Sequence, residues 1–289
     1  MKVLVIGSTG LLGQAVSNEV RSRGWSLVAV ARSGGDHALD ISDLSALDDC
    51  LDGVRPDLLF NCAALTDFIQ CERDPGHAYR VNARPLVSMA LWSRRTGRRL
   101  IHVSTDHYFI TGGAAPHREN ERVWLVNEYA RSKYAGEAFA LTAPRALVFR
   151  TSIVGIRGWD RPTLAEWAIR SVLDNAPVGL FTDAYTSSID VGAFARAAID
   201  VALGAATGLL NLASREVYSK AQFVQEIAAQ MGRRLDNATL ASLTAERPLR
   251  AGSLGLDVGK VQGLLEYPLP GLPEVVRAVL DEHGRRNGG

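Results

Sequence analysis

Residues 3–6 form a short, unbroken apolar run that meets a cluster of glycines, and beyond it Leu11, Leu12, Ala15, Val16 and Val20 recur at helical spacing. The pattern predicts a strand, a tight turn and a helix. Similar runs follow at 27–31, 58–62, 100–103 and 146–149, each almost continuously apolar. Strands of that kind are covered on both faces. Helical patterns lie between them, notably over 78–95 and 128–141, so strand and helix alternate as a doubly wound parallel sheet requires. Residues 1–151 therefore read as an α/β, Rossmann-like domain.

Beyond residue 152 the rhythm weakens. Helices are predicted at 164–173, 191–203, 220–231 and 273–281, with one strand near 209–212. Such a pattern cannot build a second doubly wound sheet. Residues 152–289 are expected to form a smaller, mixed substrate-binding lobe, with the stretch near 188–212 as the candidate to return to the first domain.

A chain of 289 residues can bury a full core. Lys plus Arg total 32 against 31 for Asp plus Glu, and a formal charge of +1 gives no electrostatic reason to expect nucleic acid or an anionic membrane. No apolar stretch reaches the roughly 20 residues that cross a bilayer. A small-molecule partner is expected instead. Cys50, Cys62 and Cys71 lack CxxC spacing, and Met1 leads into a strand pattern rather than a secretory signal, so reduced thiols and a cytoplasmic setting are expected. Cys62, within an apolar run, reads on its own as a small core residue.

Gly7, Gly10 and Gly13 are spaced Gly-x-x-Gly-x-x-Gly between the first strand and the first helix. Glycines there allow the turn, a close approach of backbone to a pyrophosphate and tight helix packing, while the helix N-terminus offers free N–H groups to the anion. Any sharp strand-to-helix turn can use glycine. Its place after the first strand of an alternating α/β pattern points to a dinucleotide. The second strand ends at Ala31-Arg32-Ser33, without the acid that NAD-selective folds use for the ribose 2′-hydroxyl. Arg32 and Ser33 instead suit a 2′-phosphate, so NADP(H) is favoured and NAD(H) remains compatible. Asp40 and Ile41 are candidates to flank the adenine, although an aspartate after a turn is as often a cap.

Tyr129 and Lys133 stand four apart in a predicted helix and so share one face. A phenol with a pKa of about 10 is a poor acid–base group at neutral pH, and a neighbouring ammonium draws that value down. Alone the pair has little specificity. Ser104-Thr105-Asp106 adds to it by lying at the C-terminal end of the strand at 100–103, the edge where open α/β sheets bind ligands.

With these motifs the chain resembles the extended short-chain dehydrogenase/reductase superfamily, and within it the dTDP-4-dehydrorhamnose reductase family. The resemblance spans nearly the whole chain. It rests on Gly7-Ser8-Thr9-Gly10-Leu11-Leu12-Gly13, Asp40-Ile41, Arg55-Pro56-Asp57, the run from Asn61 to Thr66, Val81-Asn82-Ala83, Ser104-Thr105-Asp106, the run from Tyr129 to Glu137, Phe149-Arg150-Thr151-Ser152 and Arg247-Pro248. It implies a catalytic trio of Thr105, Tyr129 and Lys133. It also implies cofactor contacts from the glycine turn, including Thr9, Leu11 and Leu12, and from Cys62, Ala63, Ala64, Thr66 and Asn82 near the nicotinamide. The implied reaction is hydride transfer to C4 of a nucleotide-linked 4-keto-6-deoxysugar, with Tyr129 as proton donor. Ser104, Thr105, Asp106, His107, Ile153 and Arg247 are the implied substrate contacts.

This chain departs from the family in places that bear on the sugar. Ser-Thr-Asp continues as His107-Tyr108-Phe109 rather than an aromatic followed by Val-Phe, and Ile153 stands where the family commonly has tryptophan. Asp67 and Ile69 displace the family's acid after Thr66. Gln14-Ala15 replaces the acid that some members use for magnesium, so no metal is expected. Arg157, Arg161, Arg247 and Arg250 are candidates for a diphosphate, Arg247 foremost because it carries the family pattern. Trp159 and Trp167 are candidates to stack a base or sugar, although tryptophan is more often core.

A 4,6-dehydratase would place a glutamate at His107. A sugar-nucleotide epimerase, distinguished by a retained oxidised cofactor, stays open. So does a non-catalytic NADP-binding regulatory subunit, as in the methionine adenosyltransferase regulatory protein that this family resembles. Families of this fold often pair through helices of the nucleotide domain, which makes a homodimer an expectation by analogy.

Overall fold

The computed structural model describes all residues except Gly112, Asp160, 243–251, 288 and 289. The chain forms two compact units. One comprises Met1–Thr105, Leu125–Arg150 and Ala195–Leu210; the other comprises Asp106–Trp124, Thr151–Phe194 and Asn211–Gly289.

The first unit alternates β1 (Lys2–Ile6), α1 (Leu11–Ser22), β2 (Ser26–Ala31), β3 (His37–Ala38), α2 (Leu44–Val54) and β4 (Leu58–Asn61). It continues with α3 (Phe68–Arg73), α4 (Pro75–Asn82), α5 (Pro85–Thr96), β5 (Arg99–Val103), α6 (Glu128–Ala140) and β6 (Ala146–Arg150). In the chain between Arg150 and the last strand of this sheet lie β7 (Ile153–Val154), α7 (Leu164–Leu173), β8 (Val178–Phe181), β9 (Tyr185–Thr186), β10 (Ile189–Asp190) and α8 (Val191–Leu203). Then β11 (Gly208–Asn211) completes a seven-stranded sheet in the order β11-β6-β5-β4-β1-β2-β3.

From β3 to β6 every pairing is parallel, with Val5 in register with Ala29 on one side and Phe60 on the other. That reproduces the doubly wound order with β1 at the switch point, so the ends of β1, β4 and β5 lie where such sheets bind ligands. The strands are buried because helices cover them: Leu4, Ile6, Leu59, Leu100 and Val148 join Leu47, Leu86, Met89 and Ala140 in one core.

The apolar period over 78–95 is one predicted helix, but the chain makes two. Ala83 and Arg84 both donate their N–H to the Tyr79 carbonyl, at 3.1 and 2.9 Å, and Pro85 opens α5. Proline lacks the N–H that a continuous helix needs and suits a first turn, so the break falls there.

The second unit contains β7 to β10 and α7, followed by β12 (Tyr218–Ser219), α9 (Lys220–Gln230), β13 (Ala238–Ala241), β14 (Ser253–Leu254), α10 (Gly259–Gln262) and α11 (Leu272–Asn287). Its sheets are small: β7 with β10, β8 with β13, and β9 between β12 and β14. Its core is helical, with Ala165, Ile169 and Val172 of α7 against Phe223 and Ile227 of α9 and Val275, Val276 and Val279 of α11. Capping boxes at Thr163/Glu166 and Ser219/Gln222 fix where α7 and α9 begin. No helix among the described residues is long and apolar enough to cross a membrane.

Candidate active site

The turn after β1 is built for close backbone approach. Gly7 has φ +79°, and a Cβ there would lie 2.7 Å from the Ala63 nitrogen; one on Gly13 would lie 2.0 Å from the Gly7 oxygen. Gly7 and Ser8 both donate to the Val30 carbonyl, at 2.8 and 3.1 Å, which ties the turn to β2. Gly10 caps α1 without a side chain, and the first turn of α1 carries no acid, so its N–H groups suit an anion. Thr9, Leu11 and Leu12 lie in this turn, Leu12 buried. Arg32 and Ser33 are exposed just past β2. Asp40 accepts from the Ser42 N–H at 2.9 Å, and that bond, with Arg32 nearby, holds its carboxyl below the usual range. Ile41 is buried in the core.

After β4 the chain carries Cys62, Ala63, Ala64 and Thr66, pinned by two asparagines. The Asn61 Oδ1 accepts from the Ala63 N–H at 3.1 Å, and its Nδ2 lies 3.2 Å from His102 Nδ1. Asn82 grips Leu65 at both backbone groups, accepting from its N–H at 2.7 Å and donating to its carbonyl at 3.0 Å. The Asn82 amide also donates to the Ser132 hydroxyl at 3.0 Å, which donates in turn to the Tyr129 carbonyl at 2.9 Å. Tyr129 is thereby tied through α6 to the 62–66 stretch. Burial pushes the Cys62 thiol well above its usual range, so it stays protonated.

α6 begins at an Asn127 cap that accepts from the Ala130 N–H at 2.7 Å. Tyr129 is buried, its ring edge-on to Phe68 at 4.9 Å between centroids. One turn on, Lys133 is also buried and donates to the Val103 carbonyl at the end of β5, at 2.7 Å. Burial pushes its ammonium down to about 8, against attraction from Glu137. Ser104 and Thr105 follow β5 directly and are buried, Ser104 donating its N–H to the Phe149 carbonyl at 2.7 Å.

Asn61, His102, Ser132 and Glu137 support this site without having drawn attention in the sequence as carriers of chemistry. Glu137 forms a buried bidentate ion pair with Arg150, with Arg150 Nε at 3.0 Å from Oε1 and a terminal nitrogen at 2.9 Å from Oε2. The signal for Glu137 was its place four residues after Lys133 on one helix. Burial, then the Lys133 charge, keeps the imidazole of His102 neutral.

The remaining predicted substrate residues belong to the second unit. Asp106 is buried and donates its N–H to the Thr151 carbonyl at 3.2 Å, and the His107 Nε2 stands 3.9 Å from the Asp106 Oδ1. Ile153 opens β7, half-buried, in register with Ile189 of β10. Arg157 lies over the Trp159 ring at 4.1 Å and donates to the Arg161 carbonyl at 2.8 Å. Trp167 is partly exposed on α7. Arg247 and Arg250 lie outside the described residues. No three His, Cys, Asp or Glu side chains among the described residues converge on a metal position.

The family described as RmlD substrate binding domain matches residues 1–281. A probable low-salt glycan biosynthesis reductase of Haloferax volcanii is 30% identical over 96% of this chain and 97% of its own. A dTDP-4-dehydrorhamnose reductase of Salmonella typhimurium is 31% identical over 53% of this chain and 52% of its own, so this second match spans about half of each protein. Among solved structures, a dTDP-4-dehydrorhamnose reductase of Bacillus anthracis in complex with NADP superimposes with a TM-score of 0.85 at 22% identity, covering 97% of this chain and 98% of that one.

Proposed function

This chain belongs to the RmlD substrate binding domain family, a family of sugar-nucleotide reductases, and on that premise we propose that it is an NADPH-dependent reductase of a nucleotide-linked 4-keto-6-deoxysugar. The observation that carries the reading is the buried Lys133 ammonium one helical turn from the buried Tyr129, at the ligand edge of the sheet. Reduced nicotinamide, when bound, supplies the hydride to C4. The Tyr129 hydroxyl gives its proton to the former carbonyl oxygen, so ketone, hydride and proton become a secondary alcohol. The Lys133 ammonium stabilises the phenolate left behind, and the Thr105 hydroxyl orients the carbonyl oxygen.

The residues present suit the cofactor. The Gly7–Gly13 turn and the uncapped start of α1 hold a pyrophosphate, Arg32 and Ser33 take the 2′-phosphate, Asp40 and Ile41 flank the adenine, and the 62–66 stretch with Asn82 borders the nicotinamide. Support for NADP comes from the absence of an acid at the end of β2 and from the NADP complex of the Bacillus anthracis relative. The substrate contacts in this reading are Ser104, Thr105, Asp106, His107, Ile153 and Arg247. Pairing of two copies through the nucleotide-binding unit belongs to the same reading, with Val87 and Leu91 exposed one turn apart on α5 as its apolar support.

The test is loss of NADPH absorbance with a panel of dTDP-, GDP- and UDP-linked 4-keto-6-deoxysugars. One sugar oxidises the cofactor stoichiometrically, and Tyr129→Phe lowers kcat by about a hundredfold or more while NADPH still binds. NADPH binding with no sugar reduced by the wild-type chain overturns the reading.

A further inference from the structure

His117 is a buried titratable residue with no part in the reaction outlined above, and it lies on the stretch 106–124 that begins with Asp106 and His107. Its Nδ1 is 2.7 Å from the Glu121 Oε2 and its Nε2 is 3.0 Å from the Ser253 hydroxyl. Ser253, buried at the start of β14, donates to the Gly113 carbonyl at 2.9 Å. A serine hydroxyl has one proton, and the Gly113 carbonyl, which only accepts, takes it whenever that bond is made. The Nε2 must therefore be the donor to Ser253. A carboxylate only accepts, so the Nδ1 must donate as well. Every bond from Glu121 through His117 and Ser253 to Gly113 is made only when His117 is an imidazolium.

The surroundings agree. Burial works against the Glu121 charge, but the Arg118 N–H and His117 hold its carboxyl below the usual range, so it stays ionised. The other charged groups around the ring are paired: Glu119 with Lys260 of α10 at 3.2 Å, and Arg118 with Asp257 at 3.3 Å. Asn211 of β11 contributes only neutral donors, to the His117 and Asp257 carbonyls. The buried Phe109 ring stacks on the imidazole at 4.1 Å and 6°, a face that favours a cation. Phe109 stands two residues after His107.

We propose that His117 is a positioning residue, a proton-dependent latch that holds the His107–Phe109 stretch in its substrate-ready place. The proposal rests on the reading of His107 as a substrate contact. When His117 loses a proton from Nε2, the Ser253 hydroxyl turns to donate to that nitrogen, the Gly113 carbonyl loses its donor, and Phe109 loses a cation from its face. As pH rises the latch opens. Binding of the sugar nucleotide weakens while the Tyr129–Lys133 chemistry is untouched.

Two measurements on the full chain test this. Nitrogen-15 NMR of labelled histidines across a pH series, with His117→Gln supplying the assignment, should show His117 with both ring nitrogens protonated while the Glu121 and Ser253 bonds are made. As the ring loses its second proton in that series, KM for the sugar nucleotide should climb about fivefold, the weight of one hydrogen bond. Neither kcat nor the NADPH Kd should follow. His117→Gln and Ser253→Ala should each sit at the raised KM without that climb. A His117 that is neutral throughout the series, or variants whose KM follows the wild-type profile, overturns the latch. Failure of every sugar to react sinks the reductase reading instead, and the ring-nitrogen signals then decide the latch by themselves.

Discussion

Lys133 is placed where its charge is costly and useful at once. Burial pushes its ammonium from 10.5 down to about 8. The folded chain therefore releases this proton before the unfolded chain does, and stability from this group rises with pH between about 8 and 10.5. Below that window the full cost of burying the charge is present, on the order of 3 kcal/mol. The charged form is the one that stabilises a Tyr129 phenolate, so kcat/KM is expected to fall about tenfold per pH unit above about 8. An ordinary exposed lysine would show no such fall until about 10.4. Lys133→Met is expected to lower kcat/KM at pH 7 by about 10²–10⁴ and to melt no lower than wild type, because the buried charge goes with it and Glu137 keeps Arg150. A melting temperature several degrees below wild type would mean that the Val103 contact outweighs the buried charge.

At the scale of elements, what was legible depended on length. The strands of the first unit run four to six residues except β3, and α1, α2, α5 and α6 run eleven to thirteen, so periodicity located most of the strands. The short α3 escaped because six residues carry too little period, and α2, although eleven residues long, was not singled out either. In the second unit β7, β9, β10, β12 and β14 are two residues each, shorter than any alternation can reveal. The glycine turn was legible because its geometry is local, and it makes a sharp prediction. A Cβ on Gly13 meets the Gly7 oxygen at 2.0 Å and the Ser8 Cα at 2.8 Å, both backbone, so nothing flexible can yield. Gly13→Ala is expected to weaken NADPH binding at least tenfold, read by quenching of cofactor fluorescence. Unchanged affinity would mean that the turn does not carry the pyrophosphate.

Over the whole molecule, the reach of the sequence ended where partners lie far apart in the chain. Tyr-x-x-x-Lys is visible within one helix, but the bonds from Asn82 to Leu65 and Ser132 cross 17 and 50 residues, and that from His117 to Ser253 crosses 136. Only the folded chain pairs them. Cofactor choice can be tested on the same scale, because a ligand that binds only the folded protein stabilises it by about 2.7 kcal/mol at a hundred times its Kd. Spread over the unfolding entropy of 289 residues, that stabilisation raises the melting temperature by about 4 °C. At equal concentrations NADPH is expected to give a larger rise than NADH, since Arg32 stands exposed past β2 and Ala31-Arg32-Ser33 at the end of that strand includes no acid. Arg32→Ala should bring the NADPH rise down to that of NADH and leave the NADH rise unchanged, because NADH has no 2′-phosphate for the guanidinium to lose. Equal rises in the wild-type chain would assign the exposed Arg32 to solvent and make the two reductants equivalent in binding.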